Sequence, residues 1–236
     1  MASLSGPLKD SGAISNLRDF FKDFPLSHDP DYVRFMDDFN QVDDDQTNDW
    51  TVVKDSGASV DIDTDALGGR LLLSSTATTE NDGASIQGQE IWQVRSGKDI
   101  WFETKLQIAD ASEIDFFVGL CEGFATNPEA ILAAAERIGF QIDDGDASIL
   151  TKTEADTTET SKDSEVDAED ATDITLGFHV IGTGKVEFFI NRIKVSEHTT
   201  NINTDELMTI GCGHISGAAT GTQTVSVDYI MCVCQR

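Results

Sequence analysis

Asp173-Ile-Thr-Leu-Gly-Phe-His-Val-Ile-Gly182-Thr-Gly184-Lys-Val-Glu-Phe-Phe-Ile-Asn191-Arg192-Ile-Lys-Val-Ser-Glu-His198-Thr-Thr-Asn201 holds three short β-rich runs separated by two tight connections. Glycine and asparagine at the connections, with alternating apolar residues between, predict an antiparallel meander. Ile174, Leu176, Phe178 and Val180 share one face of the first run, and Thr175, Gly177, His179 and Ile181 the other. Val186, Phe188 and Ile190 share a face in the second run, and Ile193 and Val195 in the third.

The same period of two extends outward in both directions. Ile100 to Ile108 alternates cleanly, with Ile100, Phe102, Thr104, Leu106 and Ile108 on one side. Trp101, Glu103, Lys105 and Gln107 lie on the other, so this segment reads as a half-buried antiparallel strand. Phe116 to Cys121 is nearly all apolar and reads as a central core strand. Gly139-Phe-Gln-Ile-Asp, Asp144-Gly145 and Asp146-Ala-Ser-Ile-Leu form a clear hairpin. Further short strands are expected at 33–40, 50–53, 58–63, 70–75, 84–87, 208–215 and 217–229. One helix is expected, capped by Asn127, with Pro128 in its first turn and Gly139 at its end; Ile131, Leu132, Ala135 and Ile138 would form its apolar face. Residues 152–173 carry no large apolar side chain and read either as an extended solvated hairpin or as a mobile loop. The expected fold is an all-β antiparallel sandwich over residues 33–236, with one short helix in a loop.

Residues 1–32 precede it as an arm. Ile14, Leu17, Phe20, Phe21 and Phe24 recur at helical spacing before Pro25, which makes a short amphipathic helix. Such a helix either packs on its own sandwich or docks on a partner. The N-terminus shows no basic segment followed by an apolar one, so the expectation is a chain made and used without export. No apolar run reaches the roughly 18 residues that span a membrane.

Lys and Arg total 16 against 43 Asp and Glu, a formal charge of −27. That field repels nucleic acid and anionic lipid, and it keeps a protein soluble at high local concentration. Without an export signal, Cys121, Cys212, Cys232 and Cys234 are expected as buried free thiols. A Cys/His metal site at Cys212 and His214 can be drawn, but the spacing is not that of zinc knuckles. Asp43, Asp44, Asp45 and Asp49 form a dense oxygen-ligand loop that suits calcium in type, yet it lacks the glycine of the EF-hand pattern; a solvated acidic loop is the plainer reading. No other cofactor is indicated.

Catalytic chemistry finds little support. Glu113-Ile-Asp115-Phe-Phe-Val118 resembles the Glu-x-Asp-x-x-Glu strand of laminarinase-type glucanases, but Val118 stands where the acid/base belongs. No nucleophile elbow, phosphate loop or dinucleotide fingerprint is present. Glycan binding needs exposed aromatics, for which Trp50, Trp92 and Trp101 are the candidates, although all three sit among apolar strand residues that favour core packing.

The Asn191 corner with the short strand and Thr-Asn stretch after it resembles a hairpin of concanavalin A-like (laminin G/lectin-type) jelly rolls. Val225-Ser-Val-Asp-Tyr-Ile-Met231 is similar to that fold's closing strand. Phe39, Trp50, Gly68-Gly69-Arg70-Leu71-Leu72-Leu73 and Asp99-Ile-Trp101-Phe102-Glu103 follow in an order that resembles jelly-roll domains of tailed-phage virion proteins. The resemblance covers roughly residues 35–236. It implies a non-enzymatic capsid decoration (cement) protein, assembled in the host cytoplasm and placed on the virion surface. The implied partners are the major capsid protein or other virion proteins, held through residues 1–32, in a homo-oligomer without nucleic acid or membrane. The alternative it implies is a carbohydrate-binding module for adsorption to a host surface.

Overall fold

The computed structural model describes residues 31–40 and 50–236, apart from 64, 67, 77, 78, 125, 126 and 218–220. Its strands are β1 (Tyr32–Asp37), β2 (Thr51–Lys54), β3 (Ser59–Ile62), β4 (Leu71–Ser74), β5 (Gly83–Gln87), β6 (Ile100–Ile108), β7 (Ile114–Cys121), β8 (Arg137–Ile142), β9 (Ser148–Ala155), β10 (Thr158–Asp167), β11 (Ile174–Ile181), β12 (Lys185–Ile190), β13 (Ile193–His198), β14 (Thr209–Ser216) and β15 (Thr224–Gln235). They form two antiparallel sheets. The eight-stranded sheet runs β13-β12-β11-β6-β15-β4-β3, with β1 also pairing β15; the seven-stranded sheet runs β10-β9-β8-β7-β14-β5-β2. This is the expected sandwich.

Alternation decides what each strand buries. Ile100, Phe102, Leu106 and Ile108 of β6 point inward, as do Ile174, Leu176, Phe178 and Val180 of β11. Ile114, Phe116, Val118 and Leu120 of β7 meet them from the other sheet. Phe102 stacks on Phe178 at 4.8 Å, and Phe140 meets Phe188 edge-on across the sheets at 5.4 Å. Each such ring contributes about 1.5–3 kcal/mol by leaving water, so these facing strands hold the sheets together.

Along one margin the interior turns polar. His198 of β13 is fully buried and bonds Thr153 Oγ1 (2.9 Å) and Thr151 Oγ1 (3.0 Å) of β9 in the opposite sheet. Burial lowers the His198 pKa to about 4, with nearby Lys162 acting in the same direction.

The meander is confirmed over β11–β13, and Asn191 and Arg192 (φ +50° and +65°) give the corner the backbone twist a two-residue hairpin requires. A register shift between Phe188 and Phe189 turns Ser196 and His198 inward and leaves Ile193 at the turn, 64% exposed. The expected shared apolar face of Ile193 and Val195 is therefore lost. The 127–139 helix is also corrected: Asn127 caps only a 3-10 turn, Pro128–Ile131. Arg137–Ile142 is strand β8, since Ile138, Phe140 and Ile142 alternate into the core, and tertiary burial overrides the local helical signal. Residues 152–173 resolve as the hairpin reading: β9 turns at Asp156-Thr157 into β10.

Candidate functional site

The outer face of the seven-stranded sheet carries an apolar cluster beside a network of charged side chains. Where Gly119, Gly139 and Gly211 pair across β7, β8 and β14, side chains from above lie directly on the backbone. A Cβ built on Gly139 would sit 2.8 Å from Phe117 Cζ, and one on Gly211 would sit 2.7 Å from Cys121 Sγ and 3.0 Å from Ile131 Cδ1. Phe117, Cys121, Phe124, Ile131 and Ala134 thus form a second apolar cluster, outside the main core. It covers the middle of the face.

Beside it lies a charged row. The two-residue turn after Ala155 makes Glu154 and Glu159 register partners, so two carboxylates stand side by side on the outer face. Arg137 of β8, paired with Glu154 in register, reaches both of them. Arg137 Nε donates to Glu154 Oε2 at 2.8 Å, and Nη2 donates to both Glu154 Oε2 and Glu159 Oε2, the latter at 3.3 Å. Nη1 donates to Leu132 O at 2.5 Å and to Gln141 Oε1 at 2.9 Å. Lys152 Nζ reaches Glu159 Oε2 at 2.9 Å. The guanidinium carbon lies 5.8 Å from the centroid of the Phe117 ring, which joins the ion network to the apolar cluster.

Gln141 continues the row by donating to Asp143. Asp115, outward-facing on β7, accepts the Asp144 N–H at 2.9 Å. Burial raises its pKa, Asp144 N–H opposes the shift, and the charges of Asp144 and Asp143 add to it. Carboxylates, an amide and two buried cations thus cross four strands of one face. Such a row can hydrogen-bond the hydroxyls of a chain molecule laid across the sheet.

The residues singled out in the sequence fare differently. Ile14, Leu17, Phe20, Phe21, Phe24, Asp43, Asp44, Asp45 and Asp49 lie outside the described residues. Trp92 and Trp101 are each 1% exposed, and Trp101 stacks on His179 at 4.8 Å. Trp50 packs edge-on against Phe35 and donates its Nε1–H to Asp37 Oδ2 at 2.7 Å. Trp92 and Trp101 are thus closed to a sugar, whereas Trp50 is half-buried. Val118 is a core residue, so the glucanase-like run places Asp115 outward and its sixth position inward. Cys212 and His214 both face the core, where His214 Nε2 contacts Gln223 O at 3.3 Å. Among the described residues no three His, Cys, Asp or Glu side chains group to hold a metal ion, and the four cysteines are buried and free.

The Glu154–Glu159 pair escaped the sequence reading. Its signal was there: two glutamates five apart around an Asp-Thr turn become cross-strand partners once residues 152–167 are read as a tight hairpin.

No protein-family model matches the chain, and no curated protein matches it significantly. Solved structures do. An endo-1,3-β-glucanase from Streptomyces sioyaensis superposes with a TM-score of 0.61 at 12% identity, covering 89% of this chain and 99% of its own. A β-1,3-1,4-glucanase (lichenase) derived from a mouse hindgut metagenome gives 0.59 at 15%, covering 84% and 97%. An endo-β-1,4-glucuronan lyase from Trichoderma reesei gives 0.57 at 9%, covering 77% and 89%.

The chain therefore has the concanavalin A-like jelly-roll fold of these carbohydrate-active proteins. The expectation of a non-enzymatic structural chain is corrected by the same comparison, since proteins sharing the fold along most of this chain are glucanases and a polysaccharide lyase.

Proposed function

We propose that this protein is a carbohydrate-binding β-sandwich that takes a polysaccharide across the outer face of its seven-stranded sheet. The observation that carries the reading is the row from Asp115 through Gln141 and Asp143, all half-buried, to buried Glu154 and open Glu159, beside the apolar cluster on that face. Its likeness in fold to glucanases and a lyase supports carbohydrate as the ligand class more than it supports capsid decoration. The decoration reading came from resemblance and docked the chain through residues 1–32, of which the structure describes only Asp31 and Tyr32. On a virion surface, binding of this kind would serve adsorption to a host.

The same pair favours a second reading, cleavage of the bound chain. Glu154 and Glu159 both bond Arg137 Nη2, which holds two carboxylates close together, and glycoside hydrolysis uses a carboxyl pair.

Affinity electrophoresis and calorimetry against soluble polysaccharides test the binding, with Gln141→Ala and Asp143→Ala as variants. Retardation by at least one glycan, weakened in both variants, supports the reading; unchanged binding in both moves the site elsewhere. A reducing-end assay on retained glycans, with Glu154→Gln and Glu159→Gln as controls, decides between binding and cleavage.

A further inference from the structure

Resting on the glycan-binding reading, we infer that this face selects uncharged polysaccharides and rejects anionic ones, because its own carboxylates consume its cationic donors. A guanidinium has five N–H donors. In Arg137 one is Nε–H on Glu154, two are Nη2–H on Glu154 and Glu159, and two are Nη1–H on Leu132 O and Gln141 Oε1. All five are spent within the protein. Lys152 is paired with Glu159 and its side chain is 7% exposed. Lys54 and Lys162 fall on the opposite alternation of their strands, in register with Ala84 and Thr151, which face inward.

What the face offers a ligand is therefore acceptors. Glu159 is the most open member of the ion network, its side chain 35% exposed, and Asp143 and Asp115 extend the acceptor row. A sugar hydroxyl satisfies a carboxylate by donating to it. A uronate or sulfate would instead bring like charge against that row, within a chain whose net charge is −27. Binding of an uncharged ligand should also be insensitive to ionic strength, since no charge pair forms across the interface.

The test measures binding of the full chain to mixed-linkage β-glucan, laminarin, alginate, polyglucuronate and chitosan, at 0.05 and 0.5 M NaCl. The expected result is binding to a neutral glucan, changed less than twofold by salt, with at least tenfold weaker binding to alginate and polyglucuronate. Equal or tighter binding to either polyanion overturns the selectivity and leaves the glycan reading standing. So does a preference for chitosan that collapses in high salt. Binding to none of the five overturns both. Glu159→Ala, with Glu159→Gln as the milder form and folding checked by circular dichroism, frees Lys152 and one Arg137 donor. It should raise affinity for polyglucuronate at least fivefold at low salt, and a folded variant with no gain refutes the donor argument.

Discussion

Glu154 and Glu159 oppose each other in register on the outer face, and one nitrogen of Arg137 bonds both. Like charges directly opposite on neighbouring strands destabilise a sheet. Here the buried guanidinium reverses the sign of the interaction, and its place is fixed by β8 on one side and Phe117 beneath. Arg137→Met should therefore cost about 3–5 kcal/mol, the magnitude of stranding buried charge. Urea denaturation measures it. The triple variant Arg137→Met, Glu154→Gln, Glu159→Gln should recover more than half of the loss, since no uncompensated charge then remains.

Two buried imidazoles set the response to acid. Burial lowers the pKa of His198 and His214 from 6.5 to about 4 each, and His214 Nδ1 has no hydrogen-bond partner. A base with a depressed folded pKa is protonated first in the unfolded chain, so stability is full above pH 6.5 and lost as pH falls toward 4. Each group can remove up to about 3 kcal/mol over that window. Asp115 and Glu136, whose pKa values burial raises, act oppositely, gaining stability as they protonate. The unfolding free energy should nevertheless fall between pH 6.5 and 4. His198→Gln combined with His214→Phe should flatten the slope; an unchanged slope would assign the acid response to the carboxylates.

The alternation of Ile100–Ile108 and Ile174–Val180 made the sandwich legible, because a period of two with one apolar face leaves a strand few other places to go. Helix reading failed at residues 132–139 for a related reason. Ala133-Ala134-Ala135 favours helix locally, but Ile138, Phe140 and Ile142 gain more by alternating into the core. The candidate face was legible only in part. Asp115 was noticed within a glucanase-like run, whereas Arg137, Lys152, Glu154 and Glu159 lie on three strands and meet only through registers that composition does not reveal. The Trp residues were read more readily, since their apolar strand neighbours favoured core packing over a sugar platform and Trp92 and Trp101 are buried.

The glycine floor beneath the apolar cluster should be intolerant of any side chain. A Cβ on Gly139 would stand 2.3 Å from Val118 O as well as against Phe117, so both backbone and ring would have to move. Gly139→Ala is expected to cost at least about 1–3 kcal/mol, the range for overpacking a filled interior. Gly184→Ala serves as the control, because a Cβ there meets nothing within 4 Å. Thermal unfolding of the two variants side by side separates local crowding from a general effect of losing glycine.

The cysteines should be silent until the sandwich opens. Cys121, Cys212 and Cys232 are fully buried, and burial pushes each thiol above its ordinary range, so little thiolate exists near neutral pH. Cys234 is 5% exposed; burial raises its pKa too, with Arg95 opposing the shift. A disulfide reagent added to native protein should titrate fewer than one thiol per chain over minutes, and all four after denaturation. Reductant should leave the melting temperature unchanged, because no bridge joins the described cysteines. Rapid reaction of one native thiol would identify Cys234 as the site where this margin opens, and Cys234→Ser would then abolish it.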